Sequence, residues 1–299
     1  MQSVRVESVE SAKRMMGHIN KRNLIFMLLS VVAVGMVYTP LRDLLANAER
    51  SEYYSHILLI PLVSGYFFYT GRKEIFSNLQ YSYSAGSLLL IIGLLLYVLG
   101  WSKGQNLNQN DYTSFMTFSV ILFWTGAFIF IYGTEAFRKA IFPVLFLILM
   151  IPIPSVLMDK IISALVSGST VATHVLFKLS GMPFLKEGPV FHLPGITIEI
   201  AKECSGIRSS LGLFTTGILA GHVFLKSDWK KIILLLFVFP ITVLKNGIRI
   251  MTLSLLAVYV DEKFITESFL HRSGGFLFYL PALLLLGIVL WWLRKAEQR

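Results

Sequence analysis

The constraint that decides most about this chain is the recurrence of apolar runs long enough to cross a bilayer. A hydrocarbon core of ~30 Å takes about 20 apolar helical residues, fewer where other helices shield the segment. Such runs fall near 23–41, 56–70, 84–101, 113–132, 141–153, 205–225, 232–260 and 275–293. The second and fifth are short, and the seventh is long and carries Lys245, Asn246 and Arg249 inside it. The composition agrees: 55% of residues are hydrophobic and only 15% charged. The fold class read from this pattern is an all-α polytopic membrane protein of about eight transmembrane helices.

The basic residues orient it. With the N-terminus inside, the inner segments hold Arg5, Lys13, Arg14, Lys21, Arg22, Arg72, Lys73, Arg138, Lys139, Lys226, Lys230, Lys231, Arg294, Lys295 and Arg299, most of the 27 Lys and Arg. Cytoplasmic loops concentrate Lys and Arg, so eight spans with both termini inside fit. The same bias accounts for the net charge of +10 without a nucleic-acid partner. No small-residue cleavage site follows the first apolar run, so it reads as a retained span rather than a signal peptide. Residues 1–22 read as a cytoplasmic N-terminal segment and 23–299 as a single transmembrane domain, with an outer segment at 155–203.

That outer segment divides in two. The helical apolar spacing of 155–181 predicts an amphipathic helix at the interface. Residues 182–203, "MPFLKEGPVFHLPGITIEIAKE", alternate apolar and polar between Gly and Pro, which predicts short strands in a hairpin resting on the outer surface.

Cys204, the only cysteine, follows the hairpin and precedes the sixth span. One cysteine excludes an internal disulfide and a cysteine-based metal site; no metal and no cofactor are expected. Small packing is the bland reading of such a thiol. Its position near a helix N-terminus, with Lys202 close by and Arg208 four residues on, favours the thiolate that nucleophilic chemistry needs. Arg249 lies 17 residues beyond Ile232, about 26 Å along the seventh span, toward the outer leaflet. Intramembrane ionisable residues are costly and face bundle interiors with a function, although a snorkelling guanidinium is the competing reading. Asn246, one turn earlier, is a plausible hydrogen-bond partner, and Lys245 lies beside it. Of the histidines, His56, His174, His192 and His271 map to the outer side, and topology does not choose among them. Asp159, Glu187, Glu199 and Glu203 are outer but scattered. No HExxH pair, GxSxG elbow or Walker loop is present.

"ECSGIRSS", then "FPITVLKNGIRI", then "HRSGGFLFYL" resemble, in that order, the motifs of the exosortase and archaeosortase family: Cys-Ser-Gly with a nearby Arg, Asn-x-x-Arg after a proline, and a late His or Arg. "YYSHILLIPLVSGYFF", "FPVLFLILMIPIP" and "KEGPVFHLPGITIEIAKECSG" are similar to that family too, and the resemblance covers about 53 to 280. It implies an intramembrane cysteine transpeptidase in the cell membrane, its active site facing the periplasmic or extracellular side. The implied substrates are membrane-anchored proteins with a C-terminal signal: a Pro-containing motif such as Pro-Glu-Pro, a transmembrane helix and a basic tail. Carried over, Cys204 is the nucleophile that forms an acyl-thioester, Arg249 assists the leaving group or the oxyanion, His271 matches the late His as base, and Arg208 and Asn246 match with supporting roles. The acceptor is unknown. Two other classes remain: an intramembrane endopeptidase without acceptor transfer, and a transporter in which Arg249 binds an anion. The absence of repeated halves with broken helices speaks against the transporter.

Overall fold

The structure, a computed structural model, describes residues 21–48, 57, 59–266 and 269–298, the side chains of 39–41, 43–48, 105, 266 and 269–276 excepted. Residues 1–20, and with them most of the 1–22 segment, lie outside the described residues, as does His56. The described chain is an all-α polytopic membrane fold with one small sheet. Among the described residues, six helical stretches are long and apolar enough to cross a bilayer: Lys21–Tyr38, Tyr83–Lys103, Gln109–Lys139, Ser155–Ser180, Asp228–Tyr259 and Leu277–Lys295. Two compact units are resolved by their internal contacts, Met1–Pro154 and Ser155–Arg299.

The first unit contains α1 (Lys21–Ala48), α2 (Leu59–Ile75), α3 (Tyr83–Lys103), α4 (Gln109–Lys139) and the short α5 (Ile141–Phe146). Helix α3 presents Gly86, Gly93 and Gly100, one every seven residues, as its buried positions. A Cβ on Gly93 would lie 2.6 Å from Phe123 N, and one on Gly126 of α4 would lie 2.5 Å from Leu90 N. The two backbones therefore touch, as small residues allow where lipid supplies no hydrophobic drive between helices. Asn108 caps α4 by accepting the Asp111 N–H at 2.8 Å. The fifth apolar run is not one continuous helix. Helix α5 passes into a 3₁₀ turn at Leu147–Met150, and Pro152 and Pro154 follow, which neither continue a helix nor let their predecessors do so.

The second unit contains α6 (Ser155–Ser180), a three-stranded antiparallel sheet of β1 (Leu185–Glu187), β2 (Val190–Leu193) and β3 (Ile196–Glu199), then α7 (Ile207–Phe224), α8 (Asp228–Tyr259), the short α9 (Lys263–Thr266) and α10 (Phe269–Lys295). The expected hairpin is thus one strand larger. Its register, Glu187 opposite Val190 and Leu193 opposite Ile196, leaves Gly188–Pro189 and Pro194–Gly195 as two-residue turns. Helix α6 differs from the expected interfacial helix in that its length and apolarity suit a span. Three of its hydroxyl residues, Ser169, Thr170 and Thr173, are buried, while Val156, Leu157, Val171, Val175 and Leu179 are exposed. In water that pattern would be inside out. Here Thr170 satisfies its hydroxyl on the Val166 carbonyl at 2.8 Å, and apolar side chains outward are what lipid requires.

Helices α6 and α8 run parallel, since Gly168 packs on Val243 and Gly247 on Ala172. Helix α8 also packs on α7 and α10 through Leu213, Leu234, Val238, Ile241, Ala282 and Leu286. The sheet is tied to α6 and α8 by Phe177, Phe191 and Ile200 against Ile250, Met251 and Leu255. At the opposite end of α8, Glu297 accepts the N–H groups of Ser227 at 2.9 Å and Lys226 at 3.1 Å, closing the connection between α7 and α8.

Two outcomes follow from this packing. Gly93→Val forces α3 off α4 and lowers stability by about 1–3 kcal/mol, read as a drop in Tm in detergent. The two N–H donors, Ser227 first and Lys226 next, hold the Glu297 carboxyl below the ordinary glutamate range. Its folded value is depressed, so the contribution is complete above the unfolded value and disappears as pH falls through the folded one. Glu297→Gln removes that acid-side dependence, seen as a flatter Tm-against-pH curve below about pH 5.

Candidate active site

The chain enters the site from the sheet. Ile200 donates its N–H to Pro189 O at 3.1 Å, and Cys204 its own to Ala201 O at 3.0 Å within a 3₁₀ turn over Lys202–Ser205. Gly206 then takes φ +71°, the left-handed region where only glycine is unstrained, and α7 begins at Ile207. Cys204, half-buried, is therefore just ahead of the helix rather than in its first turn.

Two neighbouring residues of α8 hold this turn. Asn246, with no exposed surface, donates through Nδ2 to the Cys204 carbonyl at 2.7 Å and to Ser169 Oγ of α6 at 2.9 Å. Lys245, 6% exposed, donates through Nζ to Ser209 Oγ of α7, whose hydroxyl in turn donates to Gly206 O at 2.9 Å. Consecutive helical residues point about 100° apart, so Lys245 engages α7 while Asn246 engages α6, with the Cys204–Gly206 turn between them. A Cβ at Gly206 would lie 3.2 Å from both Asn246 Oδ1 and Lys245 Nζ. Among the described residues, Asn246 Oδ1 and the fully buried Ser205 Oγ meet no hydrogen-bond partner.

Arg249, half-buried, is four residues after Lys245 and three after Asn246. At 3.6 residues per turn its direction falls between theirs, one turn further along. It faces the same seam. Arg249 lies one helical turn beyond Asn246 on α8, and of the expected partners Asn246 is the one brought to the turn that carries Cys204. Arg208 is not: its side chain is exposed. The break at Gly206 separates the 3₁₀ turn from α7, so the expected four-residue helical relation of Arg208 to Cys204 does not exist. The His271 backbone is in α10, but its side chain lies outside the described residues. His174 packs its ring edge-on against Phe184 at 5.3 Å, and His192 faces Thr197 Oγ1 at 3.1 Å and Glu187 at 3.8 Å on the sheet. Of the acidic residues, Asp159 pairs with Lys202 at 3.3 Å. Glu187, Glu199 and Glu203 are exposed. Among the described residues no group of three His, Cys, Asp or Glu is placed to hold a metal.

A groove of ~520 Å³ runs beside α6 into this turn, lined by Ser163, Val166, Thr170, Lys186, Glu199 and Lys202 among others. Its lining includes residues 199–202 and so ends two residues before Cys204.

Sequence reasoning did not single out Ser169 or Ser209 and gave Lys245 no role. The signal for Ser169 was there in "VSGSTVATH", a small-and-hydroxyl patch that reads as helix–helix contact once α6 is taken as a span. Ser209 had none, because a serine in a first helical turn is unremarkable.

Asn246→Asp is nearly isosteric and removes both N–H donors, setting an acceptor against the Cys204 carbonyl. It lowers stability by about 1–3 kcal/mol, visible by thermal unfolding, whereas an Asn246 that only filled space would tolerate the change.

Against known proteins, the family model for transmembrane exosortases matches residues 47–288. No curated protein and no solved structure matches. The matched region takes in every helix from α2 through α8, the sheet and the whole site.

Proposed function

On the premise that the chain belongs to the transmembrane exosortase family, we propose that it is a cysteine transpeptidase that cleaves a C-terminal sorting signal and passes the substrate protein to an acceptor at the cell surface. Family membership supports sorting-signal processing in general. The finer reading rests on one observation: the turn bearing the only thiol is pinned by Asn246, on the helix that also carries Lys245 and, one turn further along, Arg249.

In this mechanism the Cys204 thiolate attacks the scissile carbonyl carbon in the outer half of the membrane. The C–N bond breaks, the leaving amine takes up a proton, and an acyl-thioester remains on Sγ. Arg249 supplies the donor fork for the developing oxyanion or the departing group. Asn246 positions the nucleophile through its backbone. An acceptor nucleophile then attacks the thioester and restores the thiolate. His271 is the proposed proton carrier and Arg208, exposed at the start of α7, a contact for the substrate. With both termini cytoplasmic in the cell membrane, the substrate helix spans with its basic tail inside and its Pro-containing motif at the level of Cys204. One domain over 23–299 is proposed to carry the activity.

The test is a reporter ending in a Pro-containing motif, a transmembrane helix and a basic tail, co-expressed with each variant and followed by immunoblot and intact mass. Wild type removes the tail, Cys204→Ala leaves it, and added mass at the new C-terminus identifies transfer rather than hydrolysis. Arg249→Lys also fails, because a point charge does not replace a guanidinium fork. Processing that survives Cys204→Ala overturns the reading.

A further inference from the structure

We propose that Lys245 is the fixed positive charge that keeps Cys204 as its thiolate, with Ser209 holding that charge in place. The inference rests on the reading of Cys204 as the nucleophile.

A lysine this buried in an apolar helix needs an anion, or a reason to lack one. Its hydrogen-bond acceptor, Ser209 Oγ, is neutral. Helix α7 contains no carboxylate, and the only one on α8, Asp228, is 17 residues back, about four to five turns. Asp159 on α6 is engaged by Lys202, and Glu203, beside Cys204, is exposed. Arg249 is a second cation one turn along, and like charges at this spacing repel. Among the described residues, the other charged side chains beside the turn in the sequence are Lys202, paired with Asp159, and Arg208, exposed on α7. His174 lies against Phe184 on α6, and Lys186 and Glu199 line the groove. None of these compensates Lys245, whereas an anion at Cys204 does.

The local geometry fits that role. The donors run in one direction, from ammonium to the Ser209 hydroxyl to the Gly206 carbonyl, two residues beyond the thiol. Glycine at 206 lets the ammonium approach the backbone there: any Cβ would sit 3.2 Å from Nζ. Ionisation sends the thiol proton to solvent, which the half-buried Cys204 reaches. The positive charge acts in a water-poor seam, where Coulomb attraction is weakly screened. Lys245 thus acts through Cys204 and is a positioning residue.

Because Cys204 is the only cysteine, iodoacetamide reports on it alone in the full-length protein in detergent. The measurement is the alkylation rate against pH, from about 5 to 10, bracketing the ordinary thiol value, for wild type, Lys245→Met, Lys245→Gln, Lys245→Arg and Ser209→Ala. The wild-type midpoint is expected below the ordinary thiol value of about 8.5. The two neutral variants move it up by about one unit, slowing labelling near neutral pH about tenfold. Lys245→Arg restores the low midpoint, and Ser209→Ala falls between. A merely structural lysine would change the plateau rate through accessibility and leave the midpoint where it is. Coincident midpoints in wild type and the neutral variants overturn the proposal. So does a wild-type midpoint at or above about 8.5, which decides the matter even where no neutral variant can be purified. The assay uses no substrate. A lysine-dependent midpoint with no reporter processing would sink the transpeptidase reading and leave this one standing.

Discussion

The hydrogen bonds from Asn246 Nδ2 to the Cys204 carbonyl and to Ser169 Oγ are the contacts on which the site depends. A primary amide buried inside a span is expensive unless its donors are met, and here they are met by two separate segments, α6 and the 3₁₀ turn. One side chain on α8 thereby fixes the position of the cysteine backbone against both neighbours. The contact also explains the tolerance for glycine around it. Gly247 lets α6 come within contact of α8, and Gly206 lets the turn come within contact of Asn246. Larger residues at either place would lengthen the hydrogen bonds that the amide makes.

The charges follow a different logic from those of a soluble active site. Two cations share one face of α8 without a carboxylate on that face, an arrangement that repels itself in an apolar setting. Its cost has to be offset by something outside the helix. Ser209 relieves part of it by accepting from Lys245, and in the proposed reaction Cys204 supplies negative charge as well. The proposed reaction generates it twice, as the thiolate and as the oxyanion of each tetrahedral intermediate. In the proposed reaction the positive seam is thus matched both to the thiolate and to the oxyanions that form on the substrate.

Much of this was legible in the sequence. Long apolar runs gave α1, α3, α4, α8 and α10, since length alone decides whether a helix spans. Turn chemistry at Gly188–Pro189 and Pro194–Gly195 gave the strands, and the motif around Asn246 gave the family. What was not legible depended on which side of a helix faces protein. In α6 the serines and threonines looked like a wet face because periodicity is the same for a water-facing and a protein-facing polar stripe; only packing on Val243 and Gly247 tells them apart. Arg208 was misplaced for a related reason. Counting four residues from Cys204 assumes one unbroken helix, and the left-handed Gly206 interrupts it.

The sheet gives this small site its depth. Ile200 and Ile207 are both buried, at 2% and 4% exposure, and only six residues separate the first from the start of the second's helix. Ile200 is fixed by the cluster that joins Phe177 and Phe191 to α8, and Ile207 by the head of α7. The thiol between them has little freedom to travel along the helix axes. A slip of one residue in β3 would turn its inward side chains out, so the register of the sheet is transmitted to Cys204. The short strands therefore do for the Cys204 turn what α8 does for Asn246: they set its height, so that two segments far apart in the chain meet through one hydrogen bond.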